Sequence, residues 1–135
     1  MEAQCLQESS GNPFARHYDS LVDPDKHDAG DFEEWASYGL FQIEGITFRR
    51  MQNLAPGTVI NYADILGRPL LNLSIALRIL KENLSITGQN VERALAMYNG
   101  GPRGAADDGT GKLVDQAYPD VIRGRCEMVL RDRSS

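Results

Sequence analysis

Glu8 is the residue of this sequence best suited to act as a catalytic acid. It ends a predicted first helix, just before the turn-forming residues 9–13, where Pro13 prevents easy continuation of the helix. A side chain at such a helix end can point into a cleft, and burial against apolar groups keeps a carboxyl group protonated near neutral pH. Cleavage of a glycosidic bond needs such a group beside the leaving oxygen. Alone the signal is weak, because most glutamates at helix ends are solvated.

Five short segments, in a fixed order from Glu8 onwards, strengthen this interpretation by resemblance to a known family. Residues 8–13, Glu-Ser-Ser-Gly-Asn-Pro, look like the Glu-Ser-x-x-Asn-Pro signature of the soluble lytic transglycosylases, relatives of goose-type lysozyme. Residues 39–43 match the Gly-Leu-Met-Gln-Ile segment of that family, with Phe41 in place of Met.

The other three segments extend the resemblance to about Val121. Residues 94–102 closely match Ala-Leu-Ala-Ala-Tyr-Asn-Ala-Gly-Pro, and residues 72–80 resemble Asn-Ile-x-x-Gly-x-x-Tyr-Leu, although Ala76 and Ile79 replace Gly and Tyr. Tyr118 stands where the family has a late tyrosine. Any one segment is modest evidence, whereas the ordered set is strong.

The resemblance implies a mainly α, lysozyme-like single domain over residues 1–135, with a cleft for a glycan strand. It implies that Glu8 protonates the oxygen of the β-1,4 bond between N-acetylmuramic acid and N-acetylglucosamine in peptidoglycan, while the muramic N-acetyl group assists departure. The resulting carboxylate then takes the proton of the sugar's own 6-hydroxyl, which gives a 1,6-anhydro product. One carboxyl group suffices because the nucleophile is already part of the substrate.

Further site residues follow from the same resemblance. Tyr98 is the second predicted catalytic residue, with its hydroxyl near the reacting N-acetyl group or Glu8. Phe41 is expected to line the cleft and to offer its backbone to an N-acetyl group. The predicted glycan-binding residues are Ser9, Gly39, Phe41, Gln42, Asn72, Asn99 and Tyr118.

Structural alternatives exist for several of these assignments. Tyr98 could be a core aromatic residue with a satisfied hydroxyl, and Ser9 could merely end its helix. Gly39 could be a backbone requirement, and Asn72 only a polar position near a helix start.

The acidic segment before Gly39 leaves the reaction outcome open. A second carboxylate there could activate water and make the enzyme a hydrolysing lysozyme, with Asp31, Glu33 and Glu34 as candidates. We favour solvated surface for these residues. A third hypothesis is a non-catalytic glycan-binding or structural module.

The same segment partly fits a calcium-loop pattern. Asp23, Asp25, Asp31 and Glu34 fall at positions 1, 3, 9 and 12. Asp28 stands at the sixth position, which requires glycine, so we predict no metal site, and no cofactor elsewhere.

The segments that must position these residues are predicted to be mainly helices, because their apolar residues recur at helical spacing. The clearest helix runs from about 69 to 84, another spans about 90 to 98 with Asn90 as its cap, and a third begins near Pro119. Shorter helices are expected before Ser9 and over residues 46–54. Residues 14–33 and 99–112 are expected to be loops, and no segment alternates convincingly as a strand.

Composition narrows the partners and the location. The net charge of −5 argues against nucleic acid, and no apolar run approaches the roughly 18 residues that cross a bilayer. The arginines near the end of the chain are interleaved with acidic residues, as on a solvated helix face.

We slightly favour two separate buried thiols for Cys5 and Cys126 over a disulfide.

The expected place of action is the bacterial cell wall, in the periplasm or outside the cell. The beginning of the chain lacks the pattern of a secretory signal, and only seven residues precede Glu8. Either export does not use such a signal, or the chain is a domain cut from a longer protein, such as a bacteriophage component or another cell-wall-penetrating protein. We expect a monomer or a part of a larger assembly.

Overall fold

The computed structural model describes residues 1–18, 36–55 and 57–134 and divides the chain into two compact units. The first, here the helical unit, consists of Met1–Gln7 and Ala76–Ser135. The second, here the strand unit, is Glu8–Ile75.

The described residues are mainly helical, as predicted. In chain order the elements are α1 (Glu2–Ser9), β1 (Arg16–Tyr18), β2 (Ala36–Tyr38), β3 (Ile43–Glu44), α2 (Gly45–Met51), α3 (Tyr62–Leu66), α4 (Pro69–Ile86), α5 (Val91–Gly104) and α6 (Ala117–Ser134).

The long helices begin where the sequence predicts. Asn90 caps α5, since its side chain accepts a hydrogen bond from the Arg93 N–H at 3.0 Å. Pro119 lies in the first turn of α6, where its missing N–H costs nothing. α1 ends at Ser9. The short helix expected over residues 46–54 is α2, which spans Gly45–Met51.

The prediction that no segment forms a strand is wrong. β1, β2 and β3 form an antiparallel sheet in that order, with Arg16 opposite Tyr38 and Ser37 opposite Glu44. The strands have two or three residues each, too few to show an alternating pattern. β1 also lies inside the segment expected to be a loop.

α3 is a helix that the sequence analysis missed. It spans only five residues, and the Asn61 side chain accepts from the Asp64 N–H at 3.2 Å to cap it. A helix this short presents too little periodicity to be recognised.

The predicted loop over residues 99–112 is wrong in its first part. α5 continues to Gly104, with a kink at Gly101, where φ is +66° and ψ is −167°. Glycine adopts this conformation readily, and Pro102 then begins a last helical turn.

The strand unit has an aromatic core. The rings of Tyr38 and Tyr62 stack with centroids 5.8 Å apart, and Phe48 meets Tyr62 edge-on at 6.4 Å. Phe41, Ile43, Leu66 and Ile75 are buried in the same unit.

The helical unit has its own core. Ala3, Tyr118 and Ile122 are buried together, and Leu95 and Tyr98 pack against them.

The end of α6 carries the interleaved charges that the sequence predicts. Arg123 pairs with Glu92 at 3.1 Å and with Asp120 at 3.5 Å, and Arg131 pairs with Glu127 at 3.8 Å. These exposed pairs contribute little to stability.

Cys5 and Cys126 do not form a disulfide, as favoured, but neither is fully buried as predicted, since Cys5 is half-buried and Cys126 is exposed. Within the described part of the chain, no helix is both long and apolar enough to cross a membrane.

Candidate active site

Glu8 lies in the last turn of α1, and the helix stops sharply after it. Glu8 and Ser9 are both half-buried. The backbone then turns left-handed at Ser10, with φ +54°, and at Gly11, with φ +78°. The Asn12 N–H donates to the Ser9 carbonyl at 3.0 Å, which closes this turn.

Asn12 builds the next turn. Its side-chain Oδ1 accepts from the Phe14 N–H at 2.9 Å, and its carbonyl accepts from the Ala15 N–H at 3.2 Å. A side chain that binds the backbone two residues later is typical of asparagine in turns. The asparagine of the Glu-Ser-x-x-Asn-Pro motif is therefore a turn former here.

Hydrogen bonds at Ala15 join the segment after Glu8 to the turn over residues 39–42. The Ala15 carbonyl accepts from the Gly39 N–H at 2.8 Å and from Gln42 Nε2 at 3.2 Å. Gln42 Nε2 also donates to the Gly39 carbonyl at 2.9 Å. Both N–H donors of the Gln42 amide therefore bind backbone carbonyls. The predicted contact of Gln42 with a sugar would use the amide oxygen, Oε1.

Asn72 fastens the same turn from α4. It is fully buried, its Oδ1 accepts from the Phe41 N–H at 2.8 Å, and its Nδ2 donates to the carbonyls of Tyr38 and Leu66 at 2.9 Å each. The predicted glycan contact of Asn72 is therefore corrected. Because its amide is withdrawn from solvent and engaged with three backbone groups, Asn72 shapes the site without touching a sugar.

Gly39 and Phe41 are likewise corrected. Gly39 is buried with φ +80°, and a Cβ atom there would lie 2.3 Å from Asn72 Nδ2 and from the Leu66 carbonyl oxygen. Only glycine fits, so Gly39 is a backbone requirement. The Phe41 side chain is 3% exposed and belongs to the core, which corrects its predicted place in the cleft wall. Its N–H is bound by Asn72, and a contact of its backbone carbonyl with an N-acetyl group stays a prediction.

The strand unit also has a small pocket that the sequence analysis did not predict. It measures about 90 Å³, and its lining includes Phe14, Arg16, Tyr38 and Gly67. Phe14 is 81% exposed, and Arg16 Cζ lies 5.4 Å from the centroid of the Tyr38 ring, a cation–π contact.

Tyr98 and Tyr118 lie in the helical unit. Tyr98 is half-buried and packs against the core, so part of its surface remains accessible. Tyr118 is 6% exposed and belongs to the core of the helical unit, and its role as a glycan contact stays a prediction. The catalytic role of Tyr98 stays a prediction.

Asn99 is exposed, and its amide Nδ2 donates to Asp115 Oδ2 at 2.7 Å. Two further side chains of α5 hold the segment that follows it. Arg93 donates to the Ala105 carbonyl and to Asp107 Oδ1, at 2.9 and 2.8 Å, and Glu92 accepts from Gln116 Nε2 at 2.5 Å. Both ends of the glycine-rich segment are thus anchored to α5, which composition alone does not predict.

Asp108 forms the tip of this segment. Hydrogen bonds from the Thr110 hydroxyl and N–H, at 2.6 and 2.8 Å, hold the pKa of Asp108 below its ordinary value. Because the pKa of Asp108 is lowered in the folded turn, its carboxylate stabilises the turn at pH values above the ordinary pKa of a carboxyl group. This stabilisation is lost as the pH falls through the lowered pKa.

Replacing Thr110 by valine should therefore raise the pKa of Asp108 towards its ordinary value, because the hydroxyl donor is the largest cause of the shift. A pH titration followed by NMR of the Asp108 side-chain carbon measures this. Thr87→Val, which removes a hydroxyl bound to a helix carbonyl, is the control. An unchanged Asp108 titration in Thr110→Val would contradict the assignment.

Several predicted residues lie outside the described residues. They are the candidate second carboxylates Asp31, Glu33 and Glu34 and the calcium-loop residues Asp23, Asp25 and Asp28. Among the residues that the structure does describe, no group of three or more His, Cys, Asp or Glu side chains could hold a metal ion.

The chain matches a known family over the region that contains most of these motifs. A family model described as "Transglycosylase SLT domain" matches residues 3–112, which is most of the chain. The match includes Glu8, residues 39–43 and residues 94–102, whereas Tyr118 lies beyond its end. Comparisons with curated proteins and with solved structures gave no significant match.

Proposed function

Because this chain belongs to the transglycosylase SLT domain family, we propose that Glu8 is the acid and base with which it cleaves peptidoglycan. Members of the family are peptidoglycan lytic transglycosylases of lysozyme-like fold. The chain is accordingly an enzyme that acts on the glycan strands of the bacterial cell wall.

The observation that carries the proposal for Glu8 is its place in the matched region. Glu8 opens the Glu-Ser-x-x-Asn-Pro motif, sits half-buried in the last turn of α1, and is followed at once by the left-handed turn at Ser10 and Gly11. Hydrogen bonds of the Ala15 carbonyl join the segment after Glu8 to the turn over residues 39–42, and Asn72 holds that turn.

In the proposed reaction Glu8 gives its proton to the glycosidic oxygen of N-acetylmuramic acid while the bond to the leaving N-acetylglucosamine breaks. The muramic N-acetyl oxygen stabilises the positive charge that develops on the anomeric carbon. The Glu8 carboxylate then takes the proton of the 6-hydroxyl as that oxygen bonds to the anomeric carbon, so the carboxyl group is restored. Tyr98 assists at the N-acetyl group, and Ser9, Gln42 and Asn99 bind the glycan.

The product ends test this reaction. Purified peptidoglycan is digested, and the ends of the fragments are identified by mass spectrometry. We expect 1,6-anhydro-muramic ends, because the nucleophile is the 6-hydroxyl of the substrate. Reducing ends would contradict this, since they arise only when water attacks, and would favour a hydrolysing lysozyme that uses a second carboxylate.

A further inference from the structure

Asp115 packs closely against α5 at two of its glycines, Gly100 and Gly104. Its N–H donates to the Gly104 carbonyl at 3.0 Å, and its Oδ2 accepts from Asn99 Nδ2 at 2.7 Å. A Cβ atom at Gly100 would lie 3.1 Å from Asp115 Oδ2, and one at Gly104 would lie 3.2 Å from Asp115 Cβ. Backbone and carboxylate of Asp115 are therefore both fixed against α5.

This contact decides which way the Asn99 amide points. A carboxylate only accepts hydrogen bonds, so the amide must turn its NH2 group to Asp115. The oxygen of the same amide, Oδ1, is then held on the opposite side. Asn99 is exposed, so an acceptor atom with a fixed direction is presented at the surface directly after Tyr98.

We propose that Asp115 is a positioning residue for glycan binding, which holds Asn99 so that Oδ1 accepts a hydrogen bond from a sugar hydroxyl or an acetamido N–H. The inference rests on the proposed function in taking a glycan as the ligand and Asn99 as one of the residues that bind it. Without Asp115 the amide rotates freely, and part of the affinity is lost in ordering it.

The test measures affinity apart from chemistry. Binding of a soluble tetrasaccharide of alternating N-acetylglucosamine and N-acetylmuramic acid is followed by calorimetry, with every variant made in the Glu8→Gln protein. We expect Asp115→Ala and Asn99→Asp to weaken binding about 5- to 10-fold, the range of one hydrogen bond. In Asn99→Asp two carboxylates face each other and the donor is lost.

A double variant that exchanges the residues at positions 99 and 115 gives the most specific test. In Asn99→Asp/Asp115→Asn the amide at position 115 donates to the carboxylate at position 99, whose second oxygen again serves as acceptor. Affinity should return to within about 3-fold of the parent. Asp107→Asn is the matched control, because it removes the same charge from the same segment and breaks the pair with Arg93, yet leaves Asn99 alone.

Thermal unfolding and NMR of the Asn99 side-chain amide separate positioning from stability. The amide signals should move in Asp115→Ala and not in Asp107→Asn. The inference is overturned if Asp115→Ala binds as tightly as the parent, if the exchanged pair stays as weak as Asn99→Asp, or if affinity merely follows the unfolding temperature in all variants. No binding by the parent overturns it as well, whereas cleavage of the tetrasaccharide by the Glu8→Gln parent defeats only the proposed role of Glu8.

Discussion

Replacing Glu8 by glutamine should lower the rate of peptidoglycan cleavage about 10³-fold while the protein remains folded. Glutamine keeps the size and polarity of the side chain but can neither give a proton to the glycosidic oxygen nor take one from the 6-hydroxyl. General acid–base catalysis contributes about 10² to 10⁴ in rate, and 10³ corresponds to roughly 4 kcal/mol of barrier. Release of soluble fragments from purified peptidoglycan measures the loss.

The matched control is Glu82→Gln, which makes the same chemical change at an exposed position of α4. It should keep the activity of the unaltered enzyme. Circular dichroism and thermal unfolding of both variants establish that they are folded. If Glu8→Gln keeps more than about a tenth of the activity, the proton transfers belong to another residue, since no catalytic acid of this kind is replaceable at so small a cost.

Glu8→Asp distinguishes the position of the carboxyl group from its presence. Aspartate has the same chemistry but is one methylene shorter, which withdraws the proton from the glycosidic oxygen. Proton transfer needs the carboxyl within hydrogen-bond reach of that atom, so this variant should also lose most of its activity. Full activity of Glu8→Asp would indicate that Glu8 acts mainly through its charge.

The sequence predicts the long helices well, because each is amphipathic over several turns and has its own boundary signal. Asn90 caps α5, and Pro119 lies in the first turn of α6. The strands and α3 were missed because two to five residues do not establish a period. Their pairing partners, such as Arg16 and Tyr38, are far apart in the chain, and single-sequence patterns do not reveal such contacts.

A motif does not by itself assign the roles of its residues. Those of this chain single out Asn72 and Gly39 without saying whether a residue meets the ligand or supports one that does. Burial decides that question, and it depends on the packing of distant segments. Asn72 is fully buried because it satisfies backbone groups of residues 38, 41 and 66 at once.

Asp115 shows the converse case, a residue that the motifs do not include. Its partner Asn99 lies sixteen residues away, across a segment whose glycines suggested only a loop. The glycines at positions 100 and 104 have a specific reason in the structure, since a Cβ atom at either would press on Asp115, and one at Gly104 would also lie 2.7 Å from the Ala96 carbonyl oxygen. In the sequence this reason is invisible, because it depends on the path of the chain between the two residues.

Gly39→Ala should destabilise the strand unit by about 3–5 kcal/mol, the largest effect on folding that we expect from a single methyl group. The φ of +80° alone costs an L-residue roughly 1–2 kcal/mol. The added Cβ would also lie 2.3 Å from both Asn72 Nδ2 and the Leu66 carbonyl oxygen, so the buried Asn72 must move and lose hydrogen bonds to the backbone. Urea denaturation followed by circular dichroism measures the change.

Gly57→Ala separates the two contributions to that cost. Gly57 has φ +87°, yet nothing lies within 4 Å of a Cβ built there, so this variant bears the backbone strain without the collision. It should lose only about 1–2 kcal/mol. If the two variants lost the same stability, the close approach of Gly39 to Asn72 and Leu66 would not exclude a methyl group. The turn that follows β2 would then have room to shift, and glycine would be required there for its left-handed backbone alone.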